Sequence, residues 1–390
     1  MAKHPLSFSP PMNVPAWLCA NLLLLLLAIG PVGTLRAQTV TPNRQPAELD
    51  QFITRLMDSA RIPGLSMVVI RGNNIVYSKS YGLTKADSTQ PVTPNTVFEA
   101  ASLSKPVFAY AVMQLVEEKL LDLNKPLYEY LPYPDAAADA RYQKITARMV
   151  LSHQSGFPNW RKDRKLPQLA MAYSPGKRFG YSGEGYVYLQ KVVEKITDQP
   201  INEIMEFRVL KPLGMTNSSF VWQSDFNKHV AMPHNEAGEP EQKYQPGQAN
   251  MAYSLHTTAE DYARFIRAIF TPAGLEPTTV NQMLTPTSKL PTRFSGDTLS
   301  TNLYWGLGFG LEEMSDATWF WHWGDNGAFK CFIMANRDRQ DAVIYFTNST
   351  NGLDIADRIV AKTLGGQHPA FPFLDINADE FFRKHPYKGK

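Results

Sequence analysis

The stretch Ser102-Leu103-Ser104-Lys105-Pro106 opens an apolar segment whose helical periodicity continues to about Leu121. Pro106 is compatible with a helix here because it falls within the first turns, where backbone N–H groups lack intrahelical acceptors. The spacing places Lys105 on the same helical face as Ser102, whose hydroxyl is a weak nucleophile until a base takes its proton. The sequence therefore predicts a Ser-Lys catalytic pair at a helix start. The alternative interpretation is an N-cap serine without chemistry.

The same spacing recurs at Ser174-Pro175-Gly176-Lys177, where Pro-Gly disfavours a continuous helix. The spacing by itself is therefore not diagnostic, and its surroundings must support it.

Strand patterns lie on both sides of a mainly helical middle. Strands are predicted over residues 65–70, 75–81, 304–312, 318–323, 329–335 and 342–346, and helices over 47–60, 102–121, 184–196, 201–210, 259–270 and 353–364. Early strands, late strands and terminal helices indicate an α/β (α+β) fold, an antiparallel sheet flanked by helices and interrupted by helices. We expect a sheet domain from residues 38–95 and 300–366, a helical domain over 96–299, a polar tail over 367–390, and a cleft between the two domains.

Two further segments carry candidate chemistry. Tyr181 precedes a helix and is placed to shuttle protons; its alternative role is a packed aromatic. In Trp319-Phe320-Trp321-His322-Trp323-Gly324 the strand period puts Phe320, His322 and Gly324 on one face and the tryptophans on the other. The tryptophans are expected to pack in the core, and Gly324 permits close approach of another backbone.

Together these segments resemble the serine β-lactamase and penicillin-binding superfamily, within it class C β-lactamases, D-alanyl-D-alanine carboxypeptidases and related esterases. The likeness spans about residues 49–364. Supporting phrases are Leu151-Ser152-His153-Gln154-Ser155-Gly156-Phe157, Tyr173-Ser174-Pro175-Gly176, Pro212-Leu213-Gly214-Met215 and Trp305-Gly306-Leu307-Gly308.

The resemblance implies a serine hydrolase. By it, Ser102 attacks a carbonyl carbon, Lys105 and Tyr181 manage the proton, and His322 takes the place of the third motif's lysine or histidine. The backbone N–H groups of Ser102 and Asp325, the residue after Gly324, would form the oxyanion hole. The acyl-enzyme on Ser102 would then be hydrolysed by water.

One departure concerns the second motif, which in this superfamily usually reads Tyr-x-Asn and here reads Tyr181-Ser182-Gly183. The missing amide disfavours efficient β-lactam cleavage and favours an ester or peptide-like substrate. The alternative is a catalytically weak penicillin-binding or cell-wall peptide-binding module. A Gly-x-Ser-x-Gly elbow at residues 180–185 is disfavoured because its last glycine is one position late.

The first 37 residues have the features of an export signal: positive charge at Lys3, an apolar run over residues 16–29 and a small residue at Ala37. We expect cleavage before Gln38 and a periplasmic or secreted protein; an uncleaved membrane anchor is the alternative. Cleavage would also remove Cys19 and leave Cys331 without a partner for an intrachain disulfide.

The chain has 390 residues, of which 44% are hydrophobic and 19% charged, a balance typical of globular proteins. Loss of Lys3 and Arg36 with the signal lowers the formal net charge from +3 to about +1, so no nucleic-acid partner is expected. The eight histidines include no His-Glu-x-x-His. This pattern gives no support for a metal. The resemblance implies a cofactor-free protein with a small-molecule or peptidoglycan-like peptide or ester substrate, and we expect a monomer.

Overall fold

The computed structural model describes residues 46–163, 168–291, 302–314 and 317–386. The expected export signal lies outside these ranges. Within them, no helix is both long and apolar enough to cross a membrane. The described residues from Pro46 to Pro386 form one compact unit, and the division into a sheet domain and a helical domain stays a prediction.

In the described part of the chain, eight strands form one antiparallel sheet in the order β2-β1-β10-β9-β8-β7-β6-β5. The strands are β1 (Gly64–Arg71), β2 (Asn74–Gly82), β5 (Ser288–Lys289), β6 (Leu303–Trp305), β7 (Gly310–Met314), β8 (Ala317–Asp325), β9 (Lys330–Asn336) and β10 (Asp341–Thr347). The pair β3 (Phe98–Glu99) and β4 (His256–Thr257) forms a small separate sheet. The chain thus leaves the main sheet after β2 and returns at β5, which confirms the predicted fold class.

Helices surround the sheet. They are α1 (Pro46–Ala60), α2 (Ser104–Glu117), α3 (Ala147–Leu151), α4 (Gly183–Thr197), α5 (Ile201–Met205), α6 (Ala259–Phe270), α7 (Pro277–Met283), α8 (Ala356–Thr363), α9 (Ala370–Leu374) and α10 (Ala378–Lys384). The β1–β2 hairpin turns at Gly72 and Asn73, whose φ angles of 52° and 63° are both in the left-handed region that such a two-residue turn requires.

The sheet separates two hydrophobic cores because alternate side chains of each strand point to opposite faces. On one face Val68, Phe320 and Ile333 pack with helices of the middle segment, including Val107 of α2. On the other face Met67, Trp321, Met334 and Tyr345 pack against α1 and α8. The predicted alternation of phenylalanine and tryptophan in β8 is confirmed.

Three local predictions differ from the structure. The strand expected over 304–312 is interrupted at Gly306–Gly308, because the φ of 99° at Gly308 lies outside the extended conformation of a strand. The helix expected over 201–210 changes to a π-helical turn over Glu206–Leu210. The expected tail forms α9 and α10, because buried Phe371 and Ile376 pack into the second core.

Candidate active site

Ser102 lies in a tight turn ahead of α2. The 3₁₀ turn Ala101–Leu103 precedes the α-helix, which begins at Ser104, so the helix starts slightly later than predicted. Ala101 has a φ of 48°, a conformation that costs a non-glycine residue about 1–2 kcal/mol. Such strain persists only where the surrounding structure enforces it.

Hydrogen bonds from the middle of the chain hold this turn in place. The Ala100 N–H donates to the Leu255 carbonyl oxygen over 2.8 Å. The Ser104 hydroxyl donates to the Ala101 carbonyl oxygen over 2.6 Å and accepts from the Leu255 N–H over 2.9 Å. The Ser102 side chain is thereby left half-buried at the surface of a cavity.

Lys105 lies directly behind Ser102. Its Nζ is 3.1 Å from the Ser102 Oγ and 2.8 Å from the Ala252 carbonyl oxygen, and the residue has 0% exposure. The Lys105 Nζ lies over two aromatic rings, 4.8 Å from the centroid of the Tyr181 ring and 5.6 Å from that of Tyr186. Burial lowers the pKa of Lys105 to about 7. A large fraction of the amine is therefore free base at neutral pH.

Tyr181 joins the pair from the loop before α4. Ser182 caps that helix, since its Oγ accepts from the Gly185 N–H over 3.0 Å and donates to the Pro158 carbonyl oxygen over 2.9 Å. Burial raises the pKa of Tyr181 well above the usual phenol value, and nearby Ser102 offsets part of this increase. Among the described residues, none reaches the buried Tyr181 hydroxyl with full hydrogen-bond geometry.

His322 is buried behind the site rather than exposed in it. Its Nδ1 donates to the Trp323 carbonyl oxygen over 2.7 Å, which leaves Nε2 as an acceptor without a partner among the described residues. Burial first, and the charge of Lys105 second, lower the pKa of His322 to about 3. The ring is therefore neutral, and His322 is not among the described residues that line the cavity.

His153 is a second buried histidine at this site, and no role for it was predicted from the sequence. Its ring lies 4.1 Å from the Tyr181 ring, between centroids. Its Nδ1 accepts from the Ser182 N–H over 3.1 Å, so in the neutral ring Nε2 carries the proton. Burial and the charge of Lys105 lower the pKa of His153 well below the ordinary value. Two uncharged imidazoles thus accompany Lys105.

Gly324 brings the end of β8 against the nucleophile turn. A Cβ at this position would lie 2.2 Å from the Cys331 Sγ and 2.4 Å from the Ala100 carbonyl oxygen. The predicted close approach of another backbone at Gly324 is confirmed. Asp325 follows, with its carboxylate 2.6 Å from the Lys330 Nζ and also accepting from the Gly327 N–H over 2.9 Å.

These elements enclose a cavity of about 570 Å³. The described residues that line it share an aromatic or polar character: Glu99, Ser102, Asn159, Trp160, Tyr181, Tyr244, Tyr253, Trp323, Asp325 and Asn326. Glu99 is held by Lys243 over 2.7 Å and accepts from the Asn326 Nδ2 over 2.9 Å. The cavity thus combines the Ser-Lys pair with the aromatic walls needed to bind a small organic substrate.

No metal-binding cluster of three or more histidine, cysteine, aspartate or glutamate residues occurs in the described part of the chain. Cys331 is buried there as a free thiol.

A sheet split by an inserted helical segment, with a Ser-Lys pair at the first helix of that insertion, defines the fold class of penicillin-binding proteins and serine β-lactamases. The family model described as Beta-lactamase matches residues 49–364, and the chain belongs to that family.

Two curated relatives illustrate the family's range. "Protein flp" of Staphylococcus aureus (strain N315) is 25% identical over 260 residues, which cover 62% of this chain and 52% of that protein. "Esterase EstB" of Burkholderia gladioli is 28% identical over 222 residues, covering 50% of this chain and 56% of the esterase. The chain spans about half the length of these relatives.

Solved structures match over more of the chain. A penicillin-binding protein homologue from Pyrococcus abyssi, described as octameric, has a TM-score of 0.69 at 24% identity, covering 86% of this chain and 78% of that chain. The "D-alanine Carboxypeptidase AmpC" of Burkholderia cenocepacia has a TM-score of 0.67 at 21% identity, covering 82% and 100%. At these identities the likeness shows the fold.

Proposed function

We propose that this chain is a serine hydrolase that works through an acyl-enzyme on Ser102. The observation that carries the proposal is the buried Lys105 amine, 3.1 Å from the Ser102 Oγ and with a pKa lowered to about 7. A free amine at this distance is a competent general base for a serine hydroxyl.

In the acylation step Lys105 takes the proton of Ser102 while Oγ bonds to the substrate carbonyl carbon. The carbonyl oxygen becomes an oxyanion, which accepts from the backbone N–H groups of Ser102 and Asp325; one such donor is worth about 3–4 kcal/mol in related chemistry. As the tetrahedral intermediate collapses, the proton passes through Lys105 and Tyr181 to the departing alcohol or amine.

Deacylation reverses these roles. Water gives its proton to the Lys105–Tyr181 pair as it attacks the acyl carbon, and Ser102 recovers its proton as its bond to the acyl group breaks. His153 and His322 remain neutral during this cycle, so neither is a cation at neutral pH, and burial is the cause of the lowered pKa of the Lys105 amine.

Among the possible acyl substrates, an ester is favoured. Gly183 has no side-chain amide to hold a peptide-like group, and the described residues that line the cavity include no lysine or arginine to hold a substrate carboxylate. The esterase relative supports the same choice. We expect a short-chain nitrophenyl ester to be hydrolysed faster than nitrocefin or a D-amino-acid peptide.

The decisive experiment labels the protein with a fluorophosphonate and locates the adduct by mass spectrometry. We expect the adduct on Ser102 and no labelling of Ser102→Ala. Ser174→Ala is the matched control, because the second Ser-x-x-Lys lies in a turn with its lysine exposed, whereas Lys105 is buried. Full activity in Ser102→Ala would overturn the proposal.

The alternative suggested by Gly183 is a binding module that is acylated but turns over slowly. Counting the product molecules released per protein molecule distinguishes it from a hydrolase. Many product molecules released per protein molecule support the hydrolase. A stable Ser102 adduct with a single release supports the binding module instead.

We also propose export, which rests on the signal features of residues 1–37. N-terminal sequencing of the protein from its native fractions should give Gln38 as the first residue. An intact N-terminus in the membrane fraction would support the anchor.

A further inference from the structure

We propose that Trp160 is the specificity-determining residue for the acyl group, and that the site takes uncharged aromatic acyl groups. This inference rests on the proposed hydrolase function and names its substrate class.

Trp160 occupies the space beside the first residue of α4. A Cβ at Gly183 would lie 2.5 Å from Cη2, 2.7 Å from Cζ2 and 2.9 Å from Cζ3 of the indole. Separations this short are sterically forbidden, so the ring edge rests directly on the helix backbone. The indole of Trp160 therefore occupies the space that a side chain at position 183 would need.

The residues on either side of Trp160 in sequence form hydrogen bonds to the first residues of α4. The Gly183 N–H donates to the Asn159 backbone oxygen and to its Oδ1, each over 3.0 Å. On the other side, Arg161 binds the Glu184 carboxylate through its backbone N–H and guanidinium, over 2.8 to 3.0 Å. Glu184 is 4% exposed, so these are buried charge-assisted bonds. The indole is thus held in position before any substrate arrives.

Four of the five aromatic residues described in the cavity lining form two pairs, and the fifth, Tyr244, lies 6.5 Å from Tyr253 between ring centroids. Tyr181 packs on Trp323, with centroids 4.9 Å apart, and Trp160 packs edge-on against Tyr253 at 5.6 Å. Tyr181 delivers the proton to the leaving group, so the leaving group lies on its side of Ser102. The Trp160–Tyr253 pair is then left to contact the acyl group.

The charges facing the cavity exclude an anionic acyl group. The ionisable carboxyl side chains on its walls are Glu99 and Asp325, and no described lining residue carries a positive charge. Lys243 and Lys330 already pair with these two carboxylates, over 2.7 and 2.6 Å. A carboxylate on the acyl group would face oxygen atoms without a cation to pair with.

The first test compares kcat/KM for 4-nitrophenyl phenylacetate and 4-nitrophenyl acetate, which share a leaving group. We expect the phenylacetyl ester to be preferred, and the ratio to fall roughly tenfold in Trp160→Ala because aromatic contact area is lost. Trp160→Leu, which retains apolar bulk, should give an intermediate ratio and guards against misfolding of the alanine variant. Phe207→Ala removes an aromatic that is 61% exposed and outside the cavity, and should leave the ratio unchanged.

The second test uses Gly183→Ala. Alanine at an ordinary helical position is at least as stable as glycine, so a lowered Tm in this variant reports crowding against the indole. The loss should largely disappear in the Trp160→Ala/Gly183→Ala double variant. An unchanged Tm in Gly183→Ala, or an unchanged ester ratio in both Trp160 variants, would overturn the inference.

Labelling of Ser102 separates this failure from failure of the proposed function. If fluorophosphonate labels Ser102 and the ester ratio is insensitive to Trp160, only the specificity inference is wrong. If Ser102 is not labelled, the hydrolase proposal fails first.

Discussion

The Nζ of Lys105 lies 3.1 Å from the Oγ of Ser102 in a place where the lysine has no exposed surface. Burial is the cause of its lowered pKa of about 7, since the interior disfavours the charged form. The base that Ser102 needs is the uncharged amine, and its fraction rises with pH. We expect kcat/KM for ester hydrolysis to increase through a midpoint near pH 7 and then to level off.

The two histidines at the site, His153 and His322, are the other groups whose titration could give a midpoint near pH 7. The pKa of His322 is lowered to about 3 and that of His153 well below its ordinary value, so both are neutral across this range. A His322→Asn variant should therefore retain a midpoint near pH 7 in its remaining activity. A pH profile of kcat/KM that is flat from pH 5 to 9, or a midpoint that shifts in the His322→Asn variant, would contradict the assignment of Lys105 as the titrating base.

The same burial of Lys105 lowers the free energy of unfolding of the protein. In the unfolded chain the pKa of this lysine is near 10.5, whereas in the folded chain it is about 7. Between these two pH values the unfolded chain therefore holds a proton on Lys105 that the folded chain has released. Stability is therefore expected to rise with pH between about 7 and 10.5. We expect Lys105→Met to be inactive but more stable at neutral pH by about 1–3 kcal/mol, after the loss of the bond to Ala252 is counted.

Urea denaturation at pH 6.5 and pH 10 checks this expectation. The gain of Lys105→Met over the parent should be larger at pH 6.5, where the parent bears the full cost of the buried amine. Ser174→Ala, outside the site, should show no gain at either pH. A destabilised Lys105→Met protein at pH 6.5 would mean that the bond to Ala252 outweighs burial.

Local patterns in the sequence predicted the parts of the site that neighbouring residues determine. The i to i+3 spacing of Ser102 and Lys105 and the two-residue period of β8 are geometric consequences of helix and strand, and the structure has both. The turn that starts the helix was less predictable, because the positive φ of Ala101 depends on Leu255 far along the chain.

Contacts between distant segments were not predictable from such patterns. The contacts of Gly183 with Trp160 and of Glu99 with Lys243 join a helix start and a strand to loops distant in sequence, and their approach depends on the whole fold. His153 appeared in a recognised phrase, yet nothing local to it indicated that it would pack on Tyr181. The helices after residue 366 were missed because proline and polar residues obscured the buried Phe371.

Gly324 offers a test of how closely β8 must approach the nucleophile turn. Gly324→Ala would place a methyl group 2.4 Å from the Ala100 carbonyl oxygen and 2.2 Å from the Cys331 Sγ. We expect a loss of about 2–3 kcal/mol in the free energy of unfolding and loss of ester hydrolysis, since one obstacle is backbone and cannot rotate away.

Thermal denaturation and ester kinetics measure both effects. Gly247→Ala is the matched control, because no described atom beyond its two chain neighbours lies within 4 Å of a Cβ built there. Cys331→Ala should not rescue Gly324→Ala, because it removes the sulfur contact and leaves the carbonyl. Parent-like Tm and activity in Gly324→Ala would show that the turn can move without consequence.

The ion pair of Glu99 and Lys243 supports the cavity from one side, and its burial makes it testable. The side chains are 5% and 6% exposed, and the Nζ–Oε1 distance is 2.7 Å. Lys243→Met leaves the Glu99 carboxylate buried without its cation, which typically costs about 3–5 kcal/mol. Because Glu99 also accepts from the Asn326 amide, we expect ester KM to rise as this cavity wall loosens.

A double-mutant cycle isolates the pair from its surroundings. Glu99→Gln/Lys243→Met removes both charges and should recover most of the stability that Lys243→Met alone loses, since no isolated charge remains in the interior. The exposed pair Asp225 and Lys228, 2.7 Å apart, is the control, and Lys228→Met should cause no measurable change in urea denaturation. Additive losses from Glu99→Gln and Lys243→Met would show that the two residues contribute to stability independently.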